Sequence, residues 1–246
     1  MKMDASHCPW PRPARAWSVF MRWRDLAFIH WRASVEMMRR WVPEGLEIEI
    51  FDGTAWVGVV PFRMEGIRHR WLPAVPGLRA FPELNVRTYV RHEDKPGVWF
   101  FSLDAAHKTA VKVARKQFHL PYFLAQMSVD DIAGGGVQYR SHRVQADAPA
   151  ADFVAEYRPV GEAARSPAGS LEHFLTERYC LYAAEANGKI LRGEILHEPW
   201  ALQKGEVAIE RCTMFNQLQM AMPREKPVVH FSRKLDVVAW KVEACG

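Results

Sequence analysis

The residues best placed to do chemistry lie on one short stretch, 81–90, which reads Phe-Pro-Glu-Leu-Asn-Val-Arg-Thr-Tyr-Val. Its pattern predicts a strand. Strand side chains alternate with period two, so Leu84, Val86, Thr88 and Val90 share one face, while Glu83, Asn85, Arg87 and Tyr89 share the other. The second face carries a carboxylate, an amide, a guanidinium and a phenol in one row. Such a row can hold and polarise a small carbonyl or carboxylate compound. Arg87 offers a two-pronged hydrogen bond to a carboxylate. Glu83 becomes a general acid or base once burial raises its pKa. Asn and Glu are poor strand formers, so something besides propensity keeps them there. The row is either a solvated sheet face, on which Glu83 and Arg87 merely offset one another, or the wall of a polar pocket.

Two further constellations bear on that choice. Glu177-Arg178-Tyr179, with Tyr182, ends a predicted helix and enters a strand. Arg178 is either a surface cation at a helix C-terminus or a buried one needing a carboxylate partner, for which Glu83 is one candidate. His197 beside Glu198 has the composition of a catalytic pair, but a strand-end histidine bonded to a backbone carbonyl is the simpler expectation. The chain has no phosphate-binding loop, no dinucleotide-binding glycine pattern, no H-E-x-x-H and no G-x-S-x-G. The histidines are isolated apart from His7 beside Cys8, so no metal centre and no cofactor are expected.

The elements that must position these residues read as follows. Residues 1–23 hold Pro9, Pro11 and Pro13 and are expected to be an irregular lead-in, followed by a single domain over 24–246. A first strand is predicted at 26–32. A helix capped by Ser34 and stopped by Pro43 follows. Two strands at 46–51 and 55–64 flank the Asp52-Gly53 hairpin signal, with Pro61 marking an edge or a bulge. Residues 66–80 read as an ordered, packed loop. After the polar strand comes another at 98–103, then a helix from 105 to about 118 that Asp104 could cap. Lys108, Lys112 and Lys116 form a solvated stripe along it. Strands follow to 159. Ser170 caps a second clear helix, and Asn187-Gly188 joins a hairpin. Residues 201–222 read as mixed and partly helical, and 228–242 as a last strand or hairpin. Strands joined mostly by hairpin turns give an α+β chain, mostly antiparallel β, built as a sheet or barrel with helices outside.

Composition narrows the function. The 246 residues are 49% hydrophobic, with 10 Trp and 13 Phe, enough for a bulky aromatic core. Lys+Arg number 33 against 28 Asp+Glu. This excess is spread along the chain without the concentrated patch of a nucleic-acid protein. Four cysteines without C-x-x-C spacing read as reduced thiols of a cytoplasmic protein. No secretory leader and no membrane-spanning run is expected.

Several segments carry a resemblance to a known family. They are Phe-Pro-Glu-Leu-Asn-Val-Arg-Thr-Tyr-Val at 81–90, Gly-Val-Trp-Phe-Phe-Ser-Leu-Asp-Ala at 97–105, Ala-Arg-x-x-Phe-His-Leu-Pro-Tyr at 114–122 and Gly-Ser-Leu-Glu-x-Phe-Leu-Thr-Glu-Arg-Tyr-Cys-Leu-Tyr at 169–182. With His-Trp at 30–31 and His-Glu-Pro-Trp at 197–200, they resemble the YqjF-like family, domain of unknown function 2071, over roughly residues 20–240. That family is similar in fold to acetoacetate decarboxylase. The resemblance implies a barrel-like antiparallel core with flanking helices around a closed pocket.

The decarboxylase works through a lysine Schiff base, with a second basic group lowering that lysine's pKa. Its lysine pair follows a Phe-Pro after the helix, where this chain has His-Leu-Pro-Tyr122-Phe123. Both lysines are replaced, and Lys116 lies upstream on the helix. The acidic residue of the decarboxylase pocket matches Glu83. What the resemblance implies is therefore a pocket kept without its covalent chemistry. It would be lined by Glu83, Asn85 and Arg87, with Tyr122, Arg178 and His30 nearby, and would bind or convert a small carbonyl or carboxylate compound. Tyr122 could donate a proton or hold an oxyanion. Two alternatives stand beside this: an interaction protein with no ligand pocket, and a lyase using a different lysine.

Overall fold

The computed structural model describes residues 3–71 and 80–245. Its strands are β1 (Val19–Ala33), β2 (Glu47–Ile48), β3 (Ala55–His69), β4 (Ala80–His92), β5 (Lys95–Ala105), β6 (Tyr122–Ile132), β7 (Gly136–Arg143), β8 (Asp152–Ala164), β9 (Cys180–Ala184), β10 (Ile190–His197), β11 (Leu202–Cys212), β12 (Val228–Ala239) and β13 (Glu243–Ala244). Three helices, α1 (Val35–Arg39), α2 (Lys108–Phe118) and α3 (Leu171–Thr176), lie between them. The strands form one sheet in the order β13-β10-β9-β5-β6-β7-β8-β11-β12-β1-β3-β4-β2. Additional pairings of β4 with β5 and of β10 with β12 bend this sheet back on itself into a barrel-like wall. Such curling leaves few strand edges open to other chains. Pairing is antiparallel except where β5 meets β6 and β9, which run parallel to it.

The polar strand is β4, and both of its faces are buried. Leu84, Val86, Thr88 and Val90 are closed into the core on one side; Glu83 is 3% and Asn85 5% exposed on the other. The solvated-face reading is thereby overturned. β4 is not an outer strand: β3 pairs along one edge, Val60 opposite Asn85 and Phe62 opposite Glu83. On the other edge β5 places Leu103 opposite Asn85 and Ala105 opposite Glu83.

The first strand begins earlier than expected. Residues 19–23, assigned to the lead-in, pair with the end of β12, Val19 opposite Ala239 and Trp23 opposite Leu235. Proline density does govern the segment before them, yet Trp10 and Trp17 still pack on the domain. Between Arg24 and Ile29 the register of β1 against β3 shifts, and Asp25 takes a positive φ of 49°. Pro61 lies opposite this bulge, the kind of position at which a strand tolerates proline.

Other expectations change for identifiable reasons. The loop expected over 66–80 is strand as far as His69; residues 72–79 lie outside the described residues. Residues 46–51 give only the two-residue β2. Asp104 does not cap α2. It lies within β5, and His107 accepts from the Ala110 N–H as the cap. Residues 202–212 are a strand, not a helical segment. β11 pairs with β8 and β12 and alternates half-buried and exposed positions along most of its length, as period two requires of a strand with one face turned to solvent. Ser34 and Ser170 cap their helices as predicted, accepting from Met37 N and His173 N.

Candidate functional site: a polar row inside an apolar cavity

A cavity of about 480 Å³ lies between β1, β3, β4 and α2. Glu83, Asn85 and Arg87 reach it from alternate positions of β4, joined by Tyr122 from β6 and by Arg178 just before β9. Trp23, Phe28, Phe62 and Trp200 supply much of the remaining wall. The polar residues stand together because period two puts β4's odd-numbered positions on one face. Tyr122 joins them because parallel pairing sets it beside Leu103, across β5 from Asn85.

Glu83 has no cation against it. The Tyr122 hydroxyl donates to its Oε2 at 3.0 Å, and its Oε1 has no partner among the described residues. Burial pushes the Glu83 carboxyl up to about 8, helped by the nearby negative charge of Asp104 and opposed by the Tyr122 hydrogen bond. Near neutral pH it is a carboxylic acid, able to donate a proton or a hydrogen bond. The Tyr122 phenol is driven well above its ordinary range, first by burial and then by Glu83. It therefore stays protonated.

Arg87 is the second unusual group. Its Nη2 donates to the Leu175 carbonyl at 3.1 Å and to the Tyr89 hydroxyl at 3.2 Å. The guanidinium lies over Phe28, 5.2 Å from the ring centroid. No carboxylate neutralises it among the described residues, and Nη1 has no protein partner. Arg178 differs. Its Nη1 contacts Glu49, and its Nε donates to the Phe174 carbonyl at 2.7 Å. The partner that a buried Arg178 required is thus Glu49, carried in by the segment after β2, and not Glu83.

His30 does not line the cavity. It is fully buried behind Arg87 and Tyr89, with its Nε2 2.6 Å from the Tyr89 hydroxyl. That hydroxyl gives its one proton to the Leu175 carbonyl at 2.7 Å. Nε2–H of His30 must then be the donor, leaving Nδ1 bare, and Nδ1 is indeed buried without a partner. Burial and the Arg87 charge hold the His30 pKa well below its ordinary value. His30 thus orients Tyr89, which in turn holds Arg87. Its ring lies against Gly58, where an added Cβ would come within 2.7 Å.

His197 does line the cavity. Its Nδ1 is 2.8 Å from the Glu198 carbonyl oxygen, and its ring stacks on Tyr179 at 4.7 Å. The backbone-bonded histidine expected from the sequence is what the structure contains. No lysine is among the residues lining the cavity, and Lys108, Lys112 and Lys116 are exposed on α2. Among the described residues no group of His, Cys, Asp and Glu is arranged to hold a metal ion. No described helix is long and apolar enough to cross a membrane.

The sequence reading missed one buried network beside the site. Arg143 of β7 and Asp104 of β5 form a two-pronged pair at 2.6 and 2.7 Å, both essentially inaccessible. Gln217 links Arg143 to Ser102, and Phe123 lies 4.2 Å beneath the guanidinium. Only the isolated strand aspartate of a predicted helix cap hinted at it.

This architecture is that of the acetoacetate-decarboxylase-like proteins. An acetoacetate decarboxylase-like enzyme from Sphingomonas wittichii RW1 aligns with a TM-score of 0.61 over 99% of both chains, at 12% identity. The enduracididine biosynthesis enzyme MppR, solved in complex with pyruvate, aligns with a TM-score of 0.64 over 94% of this chain and 91% of that one, at 11% identity. At such identities the likeness concerns the fold. Within that fold, the chain belongs to the family of domain of unknown function 2071, described as an uncharacterised conserved protein, whose profile matches residues 20–236. The uncharacterised protein YqjF of Bacillus subtilis strain 168 is 42% identical over 228 residues, covering 93% of each chain.

Proposed function

We propose that the protein binds a small compound carrying a carboxylate and a neighbouring carbonyl or hydroxyl, and that any conversion proceeds by proton transfer without a lysine imine. The observation carrying this is the pairing of a neutral, buried Glu83 with an uncompensated Arg87 on the buried wall of the cavity. Arg87 supplies the charge for the carboxylate. Asn85, between them, offers an amide N–H to an oxygen. Glu83, neutral and backed by the Tyr122 hydroxyl, hands its proton to the carbonyl oxygen, and only as the carboxylate so formed does it take one from the adjacent carbon. The pyruvate complex of the similarly folded MppR supports keto acids as first probes. The absence of a lining lysine disfavours imine chemistry.

A thermal-shift panel of small keto acids, carboxylates and aldehydes tests the reading, run beside Glu83→Gln and Arg87→Met. A ligand at a hundredfold excess over its Kd stabilises the native state by about 2.7 kcal/mol. The expected result is a hit among the keto acids, lost in Arg87→Met and weakened in Glu83→Gln. Borohydride should leave no covalent adduct with that hit. An adduct, or a hit indifferent to both variants, would overturn the assignment.

A further inference from the structure

The polar row occupies only one part of the cavity. Following β4 from Arg87 through Asn85 to Glu83, the next residue on the same face is Phe81, with Met64 of β3 paired opposite it. Beyond them the wall continues through Ile67 and Met21 to α2, which turns Ala110, Val113, Ala114 and Gln117 toward the cavity. The i, i+3, i+4, i+7 spacing makes these one helix face. Two of them, Ala110 and Ala114, are small and leave room. Val113 is 44% exposed, so this end adjoins solvent while Glu83 and Asn85 are closed in. Arg68, His69, Thr109 and Gln117 bring polar groups back at the solvent rim, so the apolar part of the wall lies between that rim and the buried polar row.

Size points the same way. At about 30 Å³ for each heavy atom, the scale of a water molecule in the liquid, a cavity of about 480 Å³ has room for on the order of sixteen non-hydrogen atoms. A small keto acid would use fewer than half of these, leaving the apolar part of the wall without a partner.

From this we infer that the ligand is an amphipathic acid. Its oxygen-bearing head lies at Glu83, Asn85 and Arg87, and an unbranched apolar tail of up to about eleven carbons, what the same volume scale leaves beyond a five-atom α-keto carboxylate head, runs between Phe81, Met64 and α2. This rests on the head-group reading above and adds the substrate class. Flexible Met21 and Met64 side chains suit a tail of variable path.

The test is a calorimetric titration with straight-chain α-keto acids of increasing length, from butanoate to hexadecanoate. Each added methylene should lower Kd about three- to fourfold, until the chain reaches the solvent end near dodecanoate or tetradecanoate length and the gain stops. Ala110→Phe, checked for folding by its near-ultraviolet dichroism, should move that plateau to chains shorter by a few carbons. If that variant fails to fold, Val113→Trp at the half-exposed position serves the same purpose. Arg87→Met should weaken every member of the series. Short acids that bind through Arg87 with no gain from lengthening would sink the tail and leave the head-group reading standing. No binding at any length would sink both. A plateau unmoved by the α2 variant would put the tail elsewhere and also overturn the proposal.

Discussion

Glu83 and Asp104 are both carboxylates on adjoining strands, Asp104 paired opposite Leu84 next to Glu83, and both are buried. Their surroundings differ. Asp104 faces the core side and meets both prongs of Arg143. Glu83 faces the cavity and meets only a phenol. The cations divide in the same way: Arg143 and Arg178 each have a carboxylate, whereas among the described residues Arg87 has only a carbonyl and a hydroxyl. Burial alone, then, does not mark a site. A fully paired charge fixes the fold, while a buried ionisable group left without its counter-charge is available to something that enters.

The largest effect that can break this contrast is a pH dependence. Burial raises the Glu83 pKa from 4.5 to about 8, so its contribution to stability is fully present below pH 4.5 and is lost as pH rises through about 8. Relative to Glu83→Gln, which mimics the neutral acid, the wild type should lose about 1.4 kcal/mol per pH unit across that window, in total on the order of 5 kcal/mol. Urea midpoints of both proteins from pH 5 to 9 measure it; a constant difference would mean that Glu83 is ionised throughout. Next in size is Arg143→Met. It strands Asp104 and should cost about 3–5 kcal/mol in the same urea assay, with part regained on adding Asp104→Asn. The smallest is Arg87→Met. It removes two hydrogen bonds to neutral acceptors and strands no charge, so about 1–2 kcal/mol is expected. If it destabilised as strongly as Arg143→Met, Arg87 would be a structural cation and the contrast would fail.

Much of this was legible in the residues. Period two alone placed Glu83, Asn85, Arg87 and Tyr89 on one face, and the Ser34 and Ser170 caps and the Asn187-Gly188 turn follow from local chemistry. The losses are long-range. Asp104 and Arg143 are 39 positions apart and Glu49 and Arg178 are 129 apart; no local pattern announces either pair. Asp104 was read as a cap because a lone aspartate before a helical run has that local meaning, until a partner from β7 gives it another. His30 is placed near the pocket only by what the family resemblance implies. Its actual place behind Tyr89 depends on packing against Gly58. The strand at 202–212 escaped because its buried positions are only half-covered, so its alternation is faint.

One pairing bears on how the protein is made. β1, near the start of the chain, lies against β12, near its end, with Val19 opposite Ala239. The ribosome releases the chain in one direction, so β1 must wait for this neighbour until β12 has been made. During that interval Leu26, Phe28, Trp31 and the rest of an apolar strand have an open edge, the condition in which nascent chains recruit chaperones or pair wrongly. Cavity and barrel-like wall share β1, so the cavity is complete only once β12 has been made, and a chain cut short before β12 would lack its finished wall.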